Sequence, residues 1–150
     1  MNRNKGFSLV ELIIVIAIMA ILAGALAPAL IKYIAKSRRS TDVSNAQTIA
    51  TAVANALSVE KAYDDATPGD YPVNTDGTQL GTSNAFTSEV TSQLGTSTFK
   101  PKYDKDKQFT ITVNSDKATF TVKVDSSELY PDVCDAYKYH TFGSYLIYHV

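Results

Sequence analysis

Two neighbouring features near the start of the chain carry the chemistry it offers: the Gly6–Phe7 junction and the carboxylate of Glu11. Glu11 stands in a run from Phe7 to Ile31 that holds no other charge. A carboxylate at mid-bilayer costs about 2.5–3.5 kcal/mol on insertion scales, so an acid in such a run calls for a partner and a purpose. A helix over those residues spans roughly 37 Å, enough to cross a membrane. Arg3 and Lys5 precede it, and Lys32, Lys36, Arg38 and Arg39 follow it. The two basic flanks pull against one another and leave orientation open.

Other reactive residue types form no constellation. His140 and His149 stand apart from any Cys/His or Ser/His/Asp grouping, and no Gly-rich phosphate loop is present. Cys134 is the single cysteine, so it makes no intrachain disulfide, zinc spacing or redox pair, and reads as a small apolar residue. Asp70, Asn74, Asp76 and Gly77 do not keep calcium-loop spacing, and no glutamate follows at the right place. No catalytic role, cofactor or metal is expected. From Ser40 onward eight basic residues face fourteen acids, whereas six of the seven charges up to Arg39 are basic. An acidic body without a basic stripe argues against a nucleic-acid-binding head. It suits a soluble head on a membrane stem.

Three fates fit the apolar run. It is a discarded secretory signal, with A-x-A sites at Ala23-Gly24-Ala25 and Ala25-Leu26-Ala27. It is a plain single-span anchor, which leaves Glu11 without a partner. Or it is cut at its beginning, between Gly6 and Phe7, and retained.

The stretch Lys5-Gly6-Phe7-Ser8-Leu9-Val10-Glu11-Leu12 resembles the prepilin signal of type IV pilins and pseudopilins. The likeness is close over residues 5–35 and architectural beyond. It implies a leader, residues 1–6, removed after Gly6 by a membrane peptidase, and N-methylation of Phe7. It implies an assembly helix over 7–35 and a head over 36–150. It also implies a partner for Glu11, the new α-amine of Phe7 on a neighbouring subunit. The chain is then expected to be a precursor in the cell membrane and later a subunit, a major pilin, of a helical surface filament. Its partners would be its own copies, the prepilin peptidase and a membrane assembly platform. A pseudopilin of a secretion or DNA-uptake machine is the alternative, and a membrane-anchored binding domain a more distant one. The disulfide that loops the C-terminal region of many pilins has no counterpart, because Cys134 is alone.

Several elements would position these features. Pro28 has no N–H for the carbonyl of Gly24, so Gly24 and Pro28 mark the weakest turn of the stem. Similar pilins imply unwinding there in a filament and no more than a kink in an isolated subunit. Val43, Ala46, Ala50, Val53 and Leu57 recur at spacings of three and four, and no Gly or Pro falls between Leu30 and Thr67. One helix is expected from about Ser8 to Tyr63, apolar in its first half and amphipathic in its second. Its stripe is too short to argue a coiled coil and is expected to lie against a sheet. Residues 64–97 read as a turn-rich loop around a short helix, Asn84 to Leu94, ended by Gly95. Gln108–Val113 and Ala118–Val124 alternate as a hairpin about Asn114-Ser115-Asp116-Lys117. Ser126–Phe142 reads as a connection and Ser144–Val150 as a third strand. The expected class is α+β, a long N-terminal helix on a small antiparallel sheet of about three strands.

Overall fold

A computed structural model describes residues 7–75, 80, 84–95 and 97–138. The chain divides into two units, Met1–Lys36 and Ser37–Val150. The first is the apolar part of helix α1, Leu9–Leu57. The second holds the rest of that helix and the head: α2 (Glu60–Asp65), β1 (Gly69–Val73), α3 (Ala85–Leu94), β2 (Phe109–Val113), β3 (Phe120–Val124) and β4 (Ser127–Tyr130). The four strands form one antiparallel sheet in the order β1-β2-β3-β4. This is the expected α+β architecture.

Within the head, Arg39, Asp42, Ala46, Ile49, Val53 and Ala56 of α1 recur at three and four. From Asp42 on, this whole stripe is buried. It shares one core with Tyr71, Val73, Phe109, Ile111, Val113, Val122, Val124 and Leu129 of the sheet. The alternation of β2 is clean, with Phe109, Ile111 and Val113 inside and Thr110 and Thr112 half-buried on the other face. Val43 and Leu57, two of the residues expected in the stripe, pack at its margins.

The expected single helix to Tyr63 is interrupted. Ser58 and Val59 turn back by bonds from their N–H groups to Asn55 and Ala56, and Val59 is extended before α2 begins. The break re-aims the chain, so that Ala62 and Ala66 enter the core. No glycine or proline announces it. The short helix after the turn-rich loop is as expected. Asn84 caps α3, accepting the N–H of Thr87 at 2.8 Å, while the Thr87 hydroxyl accepts the N–H of Asn84 at 3.0 Å. Gly95 ends α3 at φ +64°. Asp65 of α2 also accepts the N–H of Ala85, which ties the two helices.

Two strands correct the sequence reading. Gly69–Val73, expected to be loop, is β1, paired along its length with β2. Its Pro72 is tolerated because β1 is an edge, where a missing N–H faces away from the ladder. Ser127–Tyr130, expected to be connection, is β4, joined to β3 by Asp125 and Ser126 with Asp125 at φ 55°. The described sheet therefore has four strands, not three. The expected strand Ser144–Val150 lies outside the described residues, as do His140, His149, Asp76 and Gly77. Both described edges are blunted: Leu80 bridges to Val73 beside β1, and Cys134 donates its N–H to the Glu128 carbonyl beside β4.

The most consequential contact absent from the sequence reading is a buried carboxylate. Asp42 is fully buried and accepts the N–H groups of Lys102 at 2.6 Å and Tyr103 at 2.9 Å. One turn earlier, Arg39 bonds the Tyr103 hydroxyl, with its guanidinium carbon 4.2 Å from the Tyr103 ring centre. Tyr137 packs edge-on against Tyr103. Burial, then the Asp42 and Asp104 carboxylates, push the Tyr137 phenol far above its ordinary range, so it is neutral at any physiological pH. Together these groups fasten the segment between α3 and β2 to the helix.

Asp42→Ala leaves two inward backbone donors without an acceptor, so it is expected to destabilise the head by about 2 kcal/mol, read by urea unfolding of the full chain in detergent. A second expectation concerns pH. In the β2–β3 turn, Asp116 accepts the N–H and hydroxyl of Thr119 and the N–H of Ala118. Led by the Thr119 N–H, these bonds hold its carboxyl below the usual 3.8. A depressed carboxyl contributes stability above the unfolded-state pKa and loses it as pH falls through the folded value. NMR titration should therefore show Asp116 protonating below 3.8, with faster Thr119 amide exchange setting in over the same range.

Candidate functional site

The candidate site is the start of the stem. Phe7 and Ser8 precede the helix, and Leu9 begins it. The Ser8 N–H donates to Glu11 Oε2 at 2.9 Å. Ser8 stands at the cap position and Glu11 three residues on, so the carboxylate makes one half of a capping box. Its negative charge also lies where the helix dipole is positive. The Ser-x-x-Glu spacing is plain in the sequence, and it supplies a partner that reading Glu11 as an isolated membrane acid overlooks. The bond holds the helix start at Leu9 and leaves Phe7 outside, 84 % exposed. Gly6, the other side of the expected cleavage point, lies outside the described residues.

Behind the cap, large apolar side chains are exposed all round the helix, among them Leu12, Ile16, Met19, Leu22, Leu26 and Ile34. α1 is long and apolar enough to cross a membrane, and its most apolar window has no buried residue. Each large aliphatic side chain gains about 1.5–3 kcal/mol on leaving water, so a bare stem forgoes on the order of tens of kcal/mol. Contiguous apolar surface of this extent marks an interface with lipid or protein. Gly24 and Pro28 lie inside the helix, which runs through both without interruption. A Cβ at Gly24 would meet nothing within 4 Å, so close packing inside this unit does not demand the glycine.

Among the described residues the stem start has no nucleophile paired with a base, and no group of three or more His, Cys, Asp or Glu is placed to hold a metal. What it offers is a capped helix end, an accessible Phe7 and a carboxylate at the head of a wholly apolar surface.

Comparison with known proteins agrees with this geometry. Residues 1–27 match the family model described as the prokaryotic N-terminal methylation motif. The chain is 41 % identical over 63 residues to the type IV major pilin protein PilA of Myxococcus xanthus, a match covering 42 % of this chain and 29 % of that protein. It is 49 % identical over 57 residues to fimbrial protein Q of Moraxella bovis, covering 38 % of this chain and 36 % of the relative. For the fimbrial protein of Moraxella nonliquefaciens the figures are 44 % over 61 residues, 41 % and 37 %. The matched segments thus span about a third of each relative's length. No solved structure matches the chain.

If Glu11 caps the helix, Glu11→Ala should loosen its first turn by about 1 kcal/mol. Amide exchange of the full chain in micelles should then quicken at Ser8 by several-fold, with exchange near Ala46 unchanged.

Proposed function

We propose, for a chain that carries the N-terminal segment of the type IV pilin family, the role of structural subunit of a type IV pilus, and of major pilin in particular. The observation that carries this reading is the conjunction at the stem: a methylation motif over residues 1–27 in front of a helix whose apolar side chains are exposed on every face. Lipid covers that surface before assembly, and the stems of other copies cover it in the filament.

On this reading the steps are those that the resemblance implies. The leader, residues 1–6, is removed between Gly6 and Phe7 by a prepilin peptidase, and the Phe7 α-amine is methylated. Residues 7–35 then serve as the assembly helix and residues 36–150 as the head. Removal of the leader creates a cation two residues before the helix. The Ser8 N–H engages one oxygen of Glu11 within the chain. A carboxylate accepts several hydrogen bonds, so it can keep that cap and still meet the Phe7 amine of a neighbouring copy. In an apolar filament core such a pair is weakly screened, and truncating one partner leaves an uncompensated charge, a loss of about 3–5 kcal/mol. Gly24 and Pro28 flank the one stem turn lacking a backbone bond. There the helix opens with least loss as lipid is exchanged for protein. The membrane assembly platform, the filament on the cell surface and the absence of catalysis belong to the same reading. The relatives bear the names of pilin and fimbrial proteins, not enzymes.

Mass spectrometry of the mature protein tests the processing: the expected terminus is methylated Phe7, whereas retained Met1 would indicate a plain anchor and a start near Leu26 or Pro28 a discarded signal. Glu11→Ala is expected to be cleaved yet to lower sheared filament yield at least tenfold. Normal filaments from that variant would remove the Glu11–Phe7 pairing.

A further inference from the structure

The head has eight basic residues from Ser40 on, and four of them, Lys100, Lys102, Lys105 and Lys107, fall within eight positions of an otherwise acidic body. The fold makes this concentration into a site. A groove of about 580 Å³ opens beside β2, and Lys100, Lys105 and Lys107 all line it. That volume lies within the range of small-molecule sites. The segment carrying the lysines is not a loose loop. Asp42 holds the backbone of Lys102 and Tyr103, Arg39 holds the Tyr103 side chain, and Pro101 is buried. The ammonium groups are thus presented from a fastened backbone, which lowers the ordering cost of binding.

The lining also selects among anions. Lys107 is paired with Asp125 at 3.2 Å, which leaves Lys100 and Lys105 in no ion pair among the described residues. Thr75, Gln108, Thr110, Asp106 and Asp125 complete the wall, with Thr110 on the outward face of β2. No aromatic side chain lines the groove, so it has no platform on which a nucleic-acid base could stack. Two carboxylates in the groove wall, Asp106 and Asp125, disfavour a dense polyanion, and Asp106, which is in no ion pair among the described residues, suits a ligand with hydroxyl donors.

We propose that this groove binds an acidic saccharide, with Lys100 and Lys105 meeting its carboxylate and Thr75, Gln108, Thr110 and Asp106 hydrogen-bonding its hydroxyls. The site lies wholly in the head and does not depend on the filament reading. If the chain is a filament subunit, the groove recurs on every copy, and weak single contacts gain by multivalency.

The test uses the full chain in detergent micelles with three probes: trigalacturonic acid, neutral galactotriose of the same length, and inorganic polyphosphate. Trigalacturonic acid should bind, at least tenfold tighter than galactotriose, and weaken as salt rises. K100Q/K105Q, which alters two lysines outside any described ion pair, should weaken it at least tenfold with an unchanged thermal midpoint. T110V should weaken the acidic sugar several-fold and leave polyphosphate unaffected, a split that general charge attraction would not produce. The proposal is overturned if trigalacturonic acid does not bind, if it binds no tighter than galactotriose, or if K100Q/K105Q leaves its affinity intact. It is equally overturned if polyphosphate binds as tightly as the sugar and T110V changes neither, since the groove would then be a charge patch only.

Discussion

A helix that is apolar on every face cannot remain in water, and the demand for cover on the stem governs the rest of this protein. Residues 7–34 expose their large aliphatic side chains. The free energy at stake is on the order of tens of kcal/mol, larger than the whole stability of an ordinary domain. Such a surface is tolerable only where lipid or like helices replace water. Glu11 caps Ser8, and the helix begins only after Phe7. The same carboxylate that would be a burden in mid-span is, at the first turn, matched to the unsatisfied N–H groups and the positive end of the helix dipole.

The head solves the opposite problem, which is to hold a small core together with no disulfide. Its α1 stripe is mostly alanine, with Ile49 and Val53 as the larger members. Bulk is supplied instead by the sheet and α3, through Phe86, Phe109, Ile111 and Leu129. Small residues on the helix allow close approach, and large ones opposite fill the space. Around this core the loops are fastened by specific polar contacts: the Asn84–Thr87 cap, Asp65 on Ala85, Asp116 in the hairpin turn, and Asp42 on the α3–β2 segment. Asp42 is the one wholly buried carboxylate among the described residues, and its two backbone donors are what make that burial bearable.

Much of this could be read beforehand where one local signal sufficed. The Phe109–Val113 alternation, the compact turn after it, and the Asn84 to Gly95 helix each follow from short-range rules of pleat, turn and cap. The misreadings share a cause. Gly69–Val73 carries glycine and proline and resembles a loop until β2 lies beside it, because an edge strand is defined by its neighbour. Ser127–Tyr130 is four residues long, below the length at which alternation speaks. The break at Ser58 and Val59 has no breaker residue and serves the burial of Ala62 and Ala66, a tertiary gain. At the stem the Ser8-x-x-Glu11 spacing is a local cap signal, but the apolar run around it is equally a signal of membrane depth, and only the folded helix start shows the carboxylate on the Ser8 N–H.

The sequence by itself determined the nature of the stem and its match to an N-terminal methylation motif. Both depend on residue type and order along one helix: an uninterrupted apolar run, Gly6 before Phe7, and an acid four residues later. Only the tertiary structure decided which charged residues turn inward and which come together. Asp42 and Lys102 are sixty positions apart, and Lys100, Thr110 and Thr75 line one groove. Those meetings arise from sheet register and helix packing, which place side chains by summed burial over the whole head. No local window of residues contains that sum.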